Sequence, residues 1–249
     1  MTEPYYQHGG VTIYLGDCRE IVPQLELDSD ECAALCDPPY GTGYYLADTD
    51  ISAFIGGLLG ALDGCCFGYP ERLIQVVERA KRYPSEWVTW WPTNGACRGF
   101  NLAGVRNESE HIAFFGKHYL ADLRESRSEE SRRIVAKNYN HADGGAGRGL
   151  DTHGDPESRR LGDVWRFPSP GLGFLHKERQ HPNEKPEALM LRLVEAVSEP
   201  GKTILDPTCG SGVSLWAARQ LGRKAIGIDI DEKCCELSAK RLAQEVLIA

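Results

Sequence analysis

Thr203-Ile204-Leu205-Asp206-Pro207-Thr208-Cys209-Gly210-Ser211-Gly212 decides the architecture of this 249-residue chain. An apolar strand runs into a tight glycine-rich turn, and a helical stretch follows from Val213 to Leu221. Gly210 and Gly212 let the backbone turn sharply and approach a ligand closely. Lys224-Ala225-Ile226-Gly227-Ile228-Asp229 then reads as a second strand ending in an acid. The unit is strand, glycine turn, helix, strand, which belongs in an open parallel sheet with helices on both faces.

Working outward, the same alternation fills the first half of the chain. Val11 to Leu15 reads as a short strand ending at Gly16-Asp17, with a helical turn from Cys18 to Leu25. Ala33-Ala34-Leu35-Cys36 is a buried strand by its continuous apolar run. Ile51 to Leu62 has the apolar content of a helix, and Cys65 to Tyr69 that of a short strand. Pro70 stands at the favoured first position of a helix, with Leu73, Ile74, Val77 and Ala80 as its apolar face. Glu86 to Trp91 and His111 to Phe115 read as strands. Trp87 and Trp91 share one face of the first of these and are expected in the core. Val164 to Phe167 is a short extended return to the domain. Pro186 opens a helix with Leu189, Met190, Leu193, Val194 and Val197 inward, and a last helix spans Glu232 to Leu247 with Asp231 as its cap.

Asp37-Pro38-Pro39-Tyr40 closes the strand before it. Ligands in open α/β sheets bind at the carboxyl ends of the strands. The two prolines fix φ and remove two backbone donors, so nearby carbonyls stay available as acceptors. A carboxylate, a carbonyl and a flat ring then converge on one point, which suits a planar base held by its amino group. The downstream motif supplies the other half of a reaction. Asp229 lies 17 residues after Gly212, near the roughly 20-residue gap between a glycine loop and an acid that binds a ribose diol. The loop is not G-x-G-x-x-G and no Lys-Ser/Thr follows it, which disfavours a phosphate cradle. A nucleoside without phosphates fits, and S-adenosylmethionine is the candidate cofactor.

In these motifs the chain resembles the amino-methyltransferases of DNA, specifically the permuted β group, in which Asp-Pro-Pro-Tyr precedes the cofactor loop. The resemblance rests on Gly16-Asp17-Cys18, Asp37 to Tyr40, His181-Pro182-Asn183-Glu184-Lys185-Pro186 and the block from Thr203 to Arg241, in that order. It implies a class I AdoMet-dependent methyltransferase (Rossmann-like) fold. That fold is a mostly parallel seven-stranded sheet with helices on both faces and a circularly permuted motif order. The cofactor strands would sit mid-sheet, beside the strands ending at Asp17 and Asp37.

The resemblance also implies roles. Asp37, Pro38, Pro39 and Tyr40 are the catalytic candidates, with Asp37 and the Pro38 carbonyl accepting the two amino N–H groups and Tyr40 stacking on the base. Asp206, Pro207, Cys209, Gly210 and Gly212 line the cofactor, Asp229 takes the ribose hydroxyls and Asp17 lies near the adenine. His181 and Lys185 reach the amino-acid end of the cofactor, where Lys185 pairs with its carboxylate. Phe174, His176 and Gln180, just upstream, read as ordinary loop residues. The implied activity is methyl transfer to adenine N6 in double-stranded DNA, as in restriction–modification enzymes, on a base flipped out of the duplex. Asp at the first position of the tetrad leans toward adenine. Cytosine N4 is the alternative within the class, and RNA or a protein glutamine amide is another substrate to weigh. A binding module without turnover is the alternative of a different class.

The totals bound these readings. The formal charge is −8, which argues against nonspecific coating of nucleic acid. From Lys117 to Arg160, nine Lys/Arg stand against eight Asp/Glu, so the acidic excess lies elsewhere. The nine cysteines show no zinc spacing, so no metal is expected and they read as reduced thiols in a cytoplasmic protein. No signal peptide opens the chain and no apolar run approaches the ~20 residues that span a bilayer. Residues 1–120 and 164–249 read as the catalytic and cofactor-binding domain. The aperiodic segment 121–163, rich in Ser, Arg, Glu and Gly, reads as a variable insertion; the resemblance implies that it is the candidate target-recognition segment, and it is expected to order only on DNA. The sequence leaves open whether the protein forms a homodimer.

Overall fold

The computed structural model describes residues 2–39, 51–93, 109–120, 123–126, 158–170 and 184–243. It divides into two compact units, residues 1–118 with 163–249, and residues 119–162.

The larger unit is built on a nine-stranded sheet. Its strands are β1 (Tyr6–His8), β2 (Val11–Leu15), β3 (Cys32–Cys36), β4 (Asp63–Gly68), β5 (Glu86–Pro92) and β6 (Glu110–Phe115), then β9 (Val164–Phe167), β10 (Thr203–Asp206) and β11 (Lys224–Asp229). The spatial order is β1-β2-β11-β10-β3-β4-β6-β5-β9. β2, β11, β10, β3 and β4 pair in parallel. β6 runs antiparallel to both of its neighbours, and β1 forms an antiparallel hairpin with β2. The expected seven strands are the central run from β2 to β5. The sequence reading missed β1, a three-residue edge strand beyond a Gly9-Gly10 turn, and β9 adds the other edge by pairing in parallel with β5. Among its described residues the smaller unit contains an antiparallel strand pair, β7 (Arg124–Ser126) with β8 (Ser158–Arg160).

β3 shows why its sequence forms a central strand. All five of its residues are buried, because helices cover both faces and no alternation of polar residues is tolerated. One face is covered by α1 (Cys18–Ile21), α2 (Ser52–Ala61) and α3 (Pro70–Ala80). Their apolar side chains share one core with Ala34, Cys36, Cys66, Leu205 and Ile228 of the sheet. The opposite face carries α4 (Glu187–Val197), α5 (Val213–Gln220) and α6 (Glu232–Ala243). Gly227 marks this contact. A Cβ there would meet Leu215 Cδ1 of α5 at 2.5 Å and Cys209 Sγ at 3.1 Å, so a larger residue would have to push the Leu215 side chain aside.

Two expectations about packing need correction. The inward face of α3 is Leu73, Val76 and Ala80, whereas Ile74 is exposed. The i, i+3, i+7 positions face the core, Val77 packs half-buried against it as expected, and the helix turns Ile74 away from it. On β5, Trp87 and Trp91 do share a face, but it is the outer one, at 43% and 47% exposure. Trp90, between them, is fully buried and donates its Nε1–H to the Phe167 carbonyl at 3.0 Å. Strand alternation put the pair on one side without saying which side was covered.

The eight cysteines among the described residues are free, and all but the half-buried Cys234 are buried. No helix among the described residues is long and apolar enough to cross a membrane.

Candidate active site

Parallel pairing brings four carboxylates to one edge. β2, β11, β10 and β3 lie side by side and point the same way. Asp229 and Asp206 end their strands, Asp37 follows β3 directly and Asp17 follows β2 after Gly16. The order across the edge is therefore Asp17, Asp229, Asp206, Asp37. Segments 17–37 and 206–229, far apart in sequence, become neighbours there.

The glycine turn after β10 is held from several directions. Gly210 and Gly212 have φ of 51° and 72°, the left-handed region in which a side chain is strained. Gly212 caps α5, and a Cβ on it would meet Ser238 Oγ at 2.6 Å and Cα at 2.9 Å. Ser238 of α6 donates to the Gly210 carbonyl at 2.8 Å. Arg241 Nε donates to the Ser211 carbonyl at 3.0 Å, while its other nitrogens pair with Glu184 and Glu187 beside the start of α4.

Backbone donors fix the acids on this side. Asp229 accepts from the Gly210 N–H at 2.8 Å and from the Asp231 N–H at 2.9 Å, so one carboxylate closes both loops. Asp231 caps α6 as expected, accepting from the Lys233 N–H at 2.9 Å. Asp206 accepts from the Thr208 N–H at 3.0 Å and from the Ser214 hydroxyl. It is wholly buried, and desolvation pushes its carboxyl up to about 7 against those two hydrogen bonds. Cys209 is buried beneath the turn, where desolvation holds its thiol protonated. Asp17 caps α1 through the Arg19 N–H at 2.8 Å and pairs with the Arg19 guanidinium, which lowers its carboxyl.

Asp37 is held differently. The Thr208 hydroxyl donates to its carbonyl at 3.2 Å, pinning this corner to the glycine turn. Its side chain meets Lys185, whose Nζ lies 2.7 Å from Asp37 Oδ2 and 3.3 Å from Glu110 Oε2. The ammonium also sits 4.8 Å from the centroid of the Phe67 ring. Lys185, expected at the carboxylate of the cofactor, is thus in contact with Asp37. Pro38 is buried and Pro39 half-buried. Tyr40 and His181 lie outside the described residues, as do Phe174, His176 and Gln180.

Glu110 and Ser214 were not foreseen. Glu110 has a faint signal: a glutamate stands at the head of the apolar run His111 to Phe115, where alternation alone starts the strand one residue later. Ser214 shows none beyond its place in the first turn of α5.

The fold is that of the class I AdoMet-dependent methyltransferases. It resembles the solved M1.HpyAVI–SAM complex with a TM-score of 0.59 at 20% identity, over 94% of this chain and 99% of that one. It resembles the cytosine-N4-specific PvuII DNA methyltransferase with a TM-score of 0.64 at 12% identity, over 99% and 91%. Residues 63–240 match the family model described as DNA methylase, the N6/N4 methyltransferases, and the chain belongs to that family. Among curated relatives, it is 30% identical over 164 residues to the type II methyltransferase M.HpaI of Haemophilus parainfluenzae, covering 66% of this chain and 46% of that protein. It is 42% identical over 82 residues to the DNA adenine methyltransferase YhdJ of Escherichia coli K12, covering 32% and 27%. The matches thus span less than half the length of these relatives.

Proposed function

We propose that the protein transfers the methyl group of S-adenosylmethionine to the N6 amino group of an adenine flipped out of double-stranded DNA. The observation that carries this reading is the adjacency of two corners. Asp37 and the glycine turn meet at neighbouring strand ends, joined by the bond from Thr208 to the Asp37 carbonyl. A group held by Asp37 therefore lies beside whatever the turn holds.

The residues fit the cofactor by their chemistry. Asp229 and Asp17 offer carboxylate oxygens for hydroxyl and amino donors. The Gly210–Gly212 turn brings bare backbone to the ligand. Asp206 offers a carboxyl that a cationic ligand would ionise. Bound there, S-adenosylmethionine supplies an electrophilic methyl on a sulfonium.

The amino group of adenine is a weak nucleophile, because its lone pair is delocalised into the ring. Asp37 accepts one N–H and the Pro38 carbonyl the other, which draws the nitrogen toward a tetrahedral shape and aims its lone pair. With the methyl donor held by the turn, that lone pair would be directed at the methyl carbon, the N–C bond forming as the C–S bond breaks and sulfur keeps the bonding pair. The nitrogen then sheds a proton, for which Asp37 is the nearest described base. Alignment and electrostatics supply the catalysis. Tyr40 stacks on the base. By its place in the His181-to-Pro186 motif, His181 would serve the amino-acid end of the cofactor. The unit 119–162 reads the target sequence. The Asp at position 37 and the adenine-specific relative favour N6 over cytosine N4.

Mass spectrometry of nucleosides from unmethylated genomic DNA, incubated with the protein and S-adenosylmethionine, tests the reading. N6-methyladenine is the expected product. N4-methylcytosine alone would move the target to the other base, and no methylated base at all would leave a binding protein.

A further inference from the structure

Three charged groups drawn from three distant segments meet beside the proposed base pocket. Asp37 follows β3, Glu110 opens β6 and Lys185 precedes α4. The Lys185 side chain is 4% exposed, Glu110 2% and Asp37 22%. Stripping water from an ammonium and a carboxylate this thoroughly is costly, and an apolar trio of similar volume often folds as well. Stability is thus a poor reason for such a cluster. Its position against Asp37 suggests another.

Resting on the proposed methyl transfer, we infer that Lys185 is a positioning residue for Asp37 and that Glu110 is its counter-charge. The geometry separates two tasks. Nζ, 2.7 Å from Oδ2, fixes the carboxylate plane and spares it the reorganisation that a solvated aspartate undergoes. A lysine acting alone would also cancel the negative field of Asp37, the field that favours positive charge on the attacking nitrogen. Glu110, 3.3 Å from the same ammonium, restores it. Among the described residues the cluster sets two carboxylates against one ammonium, so the base faces a rigid corner that keeps an excess of negative charge.

The support around Lys185 is consistent with this task. Phe67 on β4 sits against the ammonium and holds it from one side. Glu184, the residue before it, is clamped by Arg241, which also holds the Ser211 carbonyl. The segment bearing Lys185 is thereby tied to the glycine turn as well as to Asp37.

The test uses the full chain, unmethylated double-stranded genomic DNA and S-adenosylmethionine. Wild type, Lys185→Met, Glu110→Gln and the double variant are compared by calorimetric cofactor affinity, single-turnover transfer rate and thermal unfolding. Lys185→Met is expected to slow transfer about 100-fold, the scale on which losing one preorganised electrostatic partner acts, and to leave cofactor affinity nearly unchanged. The double variant removes both charges, so it is expected to regain stability yet stay slow. If cofactor affinity falls in step with the rate, Lys185 serves the cofactor and the inference is overturned. If the double variant regains the wild-type rate, Lys185 merely neutralises Glu110, with the same consequence. Wild-type protein that binds the cofactor but methylates no DNA would refute the methyl-transfer reading itself, and the inference with it.

Discussion

The two corners of the strand edge hold their carboxylates by opposite means. At β10 and β11, Asp206 and Asp229 are fixed by backbone N–H groups and a hydroxyl from the loops that follow them. At β3, Asp37 is fixed by an ammonium from a segment almost 150 residues away. The first arrangement is local, so strand, turn and helix carry it together. The second exists only after the sheet has formed. A corner built from local backbone bonds presents a shaped cradle, whereas one built from buried charges presents a field. The contrast matches the tasks proposed for them, holding a cofactor and activating an amine.

Removing a charge should break the second corner hardest. Lys185→Met removes the ammonium 3.3 Å from the deeply buried Glu110, and losing one partner of a buried pair costs roughly 3–5 kcal/mol. Urea unfolding of the variant should show that loss, and Glu110→Gln on top of it should recover most of it. The cradle breaks by shape instead. Gly212→Ala forces a side chain into left-handed backbone, at about 1–2 kcal/mol, and into Ser238, with overpacking worth roughly 1–3 kcal/mol more. Its midpoint in denaturant should fall with the slope unchanged, and Ser238→Gly should return only part of the loss.

The buried acid of the cradle sharpens the comparison through pH. Asp206 titrates near 7 in the folded protein, against an ordinary value of 3.8. Between about pH 4 and 7 the unfolded chain has shed this proton while the native state keeps it. Stability from this group therefore falls as pH rises through that window, by up to about 1.4 kcal/mol per pH unit, and levels off above it. Asp206→Asn should flatten that slope in unfolding series run from pH 4 to 8. An unchanged slope would mean that the buried carboxyl is already ionised. The smallest effect belongs to the edge of the cradle. Asp17→Ala removes the cap of α1, worth about 1 kcal/mol, and should lower the melting temperature by a few degrees at most.

What could be read from the sequence follows the same division. The β10 turn, Asp206, Asp229 and the helix after them were legible because they are contiguous and glycine leaves a plain mark. Asp37 was legible through its two prolines. The central place of β10 and β11, between β2 and β3, came from family resemblance, since sheet order is a long-range property. Glu110 was passed over because its partner is 75 residues downstream. Lys185 was legible as a site residue but its contact with Asp37 was not, because a sequence shows a lysine's charge and not where its long side chain reaches. Trp87 and Trp91 failed for a related reason: period two sorts residues into faces, and only packing decides which face is covered.

The most direct test of the account is the effect of Asp37→Asn on the two halves of the reaction, cofactor binding by calorimetry and methyl transfer to double-stranded DNA by nucleoside mass spectrometry. The account predicts that S-adenosylmethionine still binds, because its cradle lies on β10 and β11, while N6-methyladenine formation is lost. Transfer persisting at the wild-type rate, or cofactor binding lost together with it, would contradict the division of the site into a cradle and an activating corner.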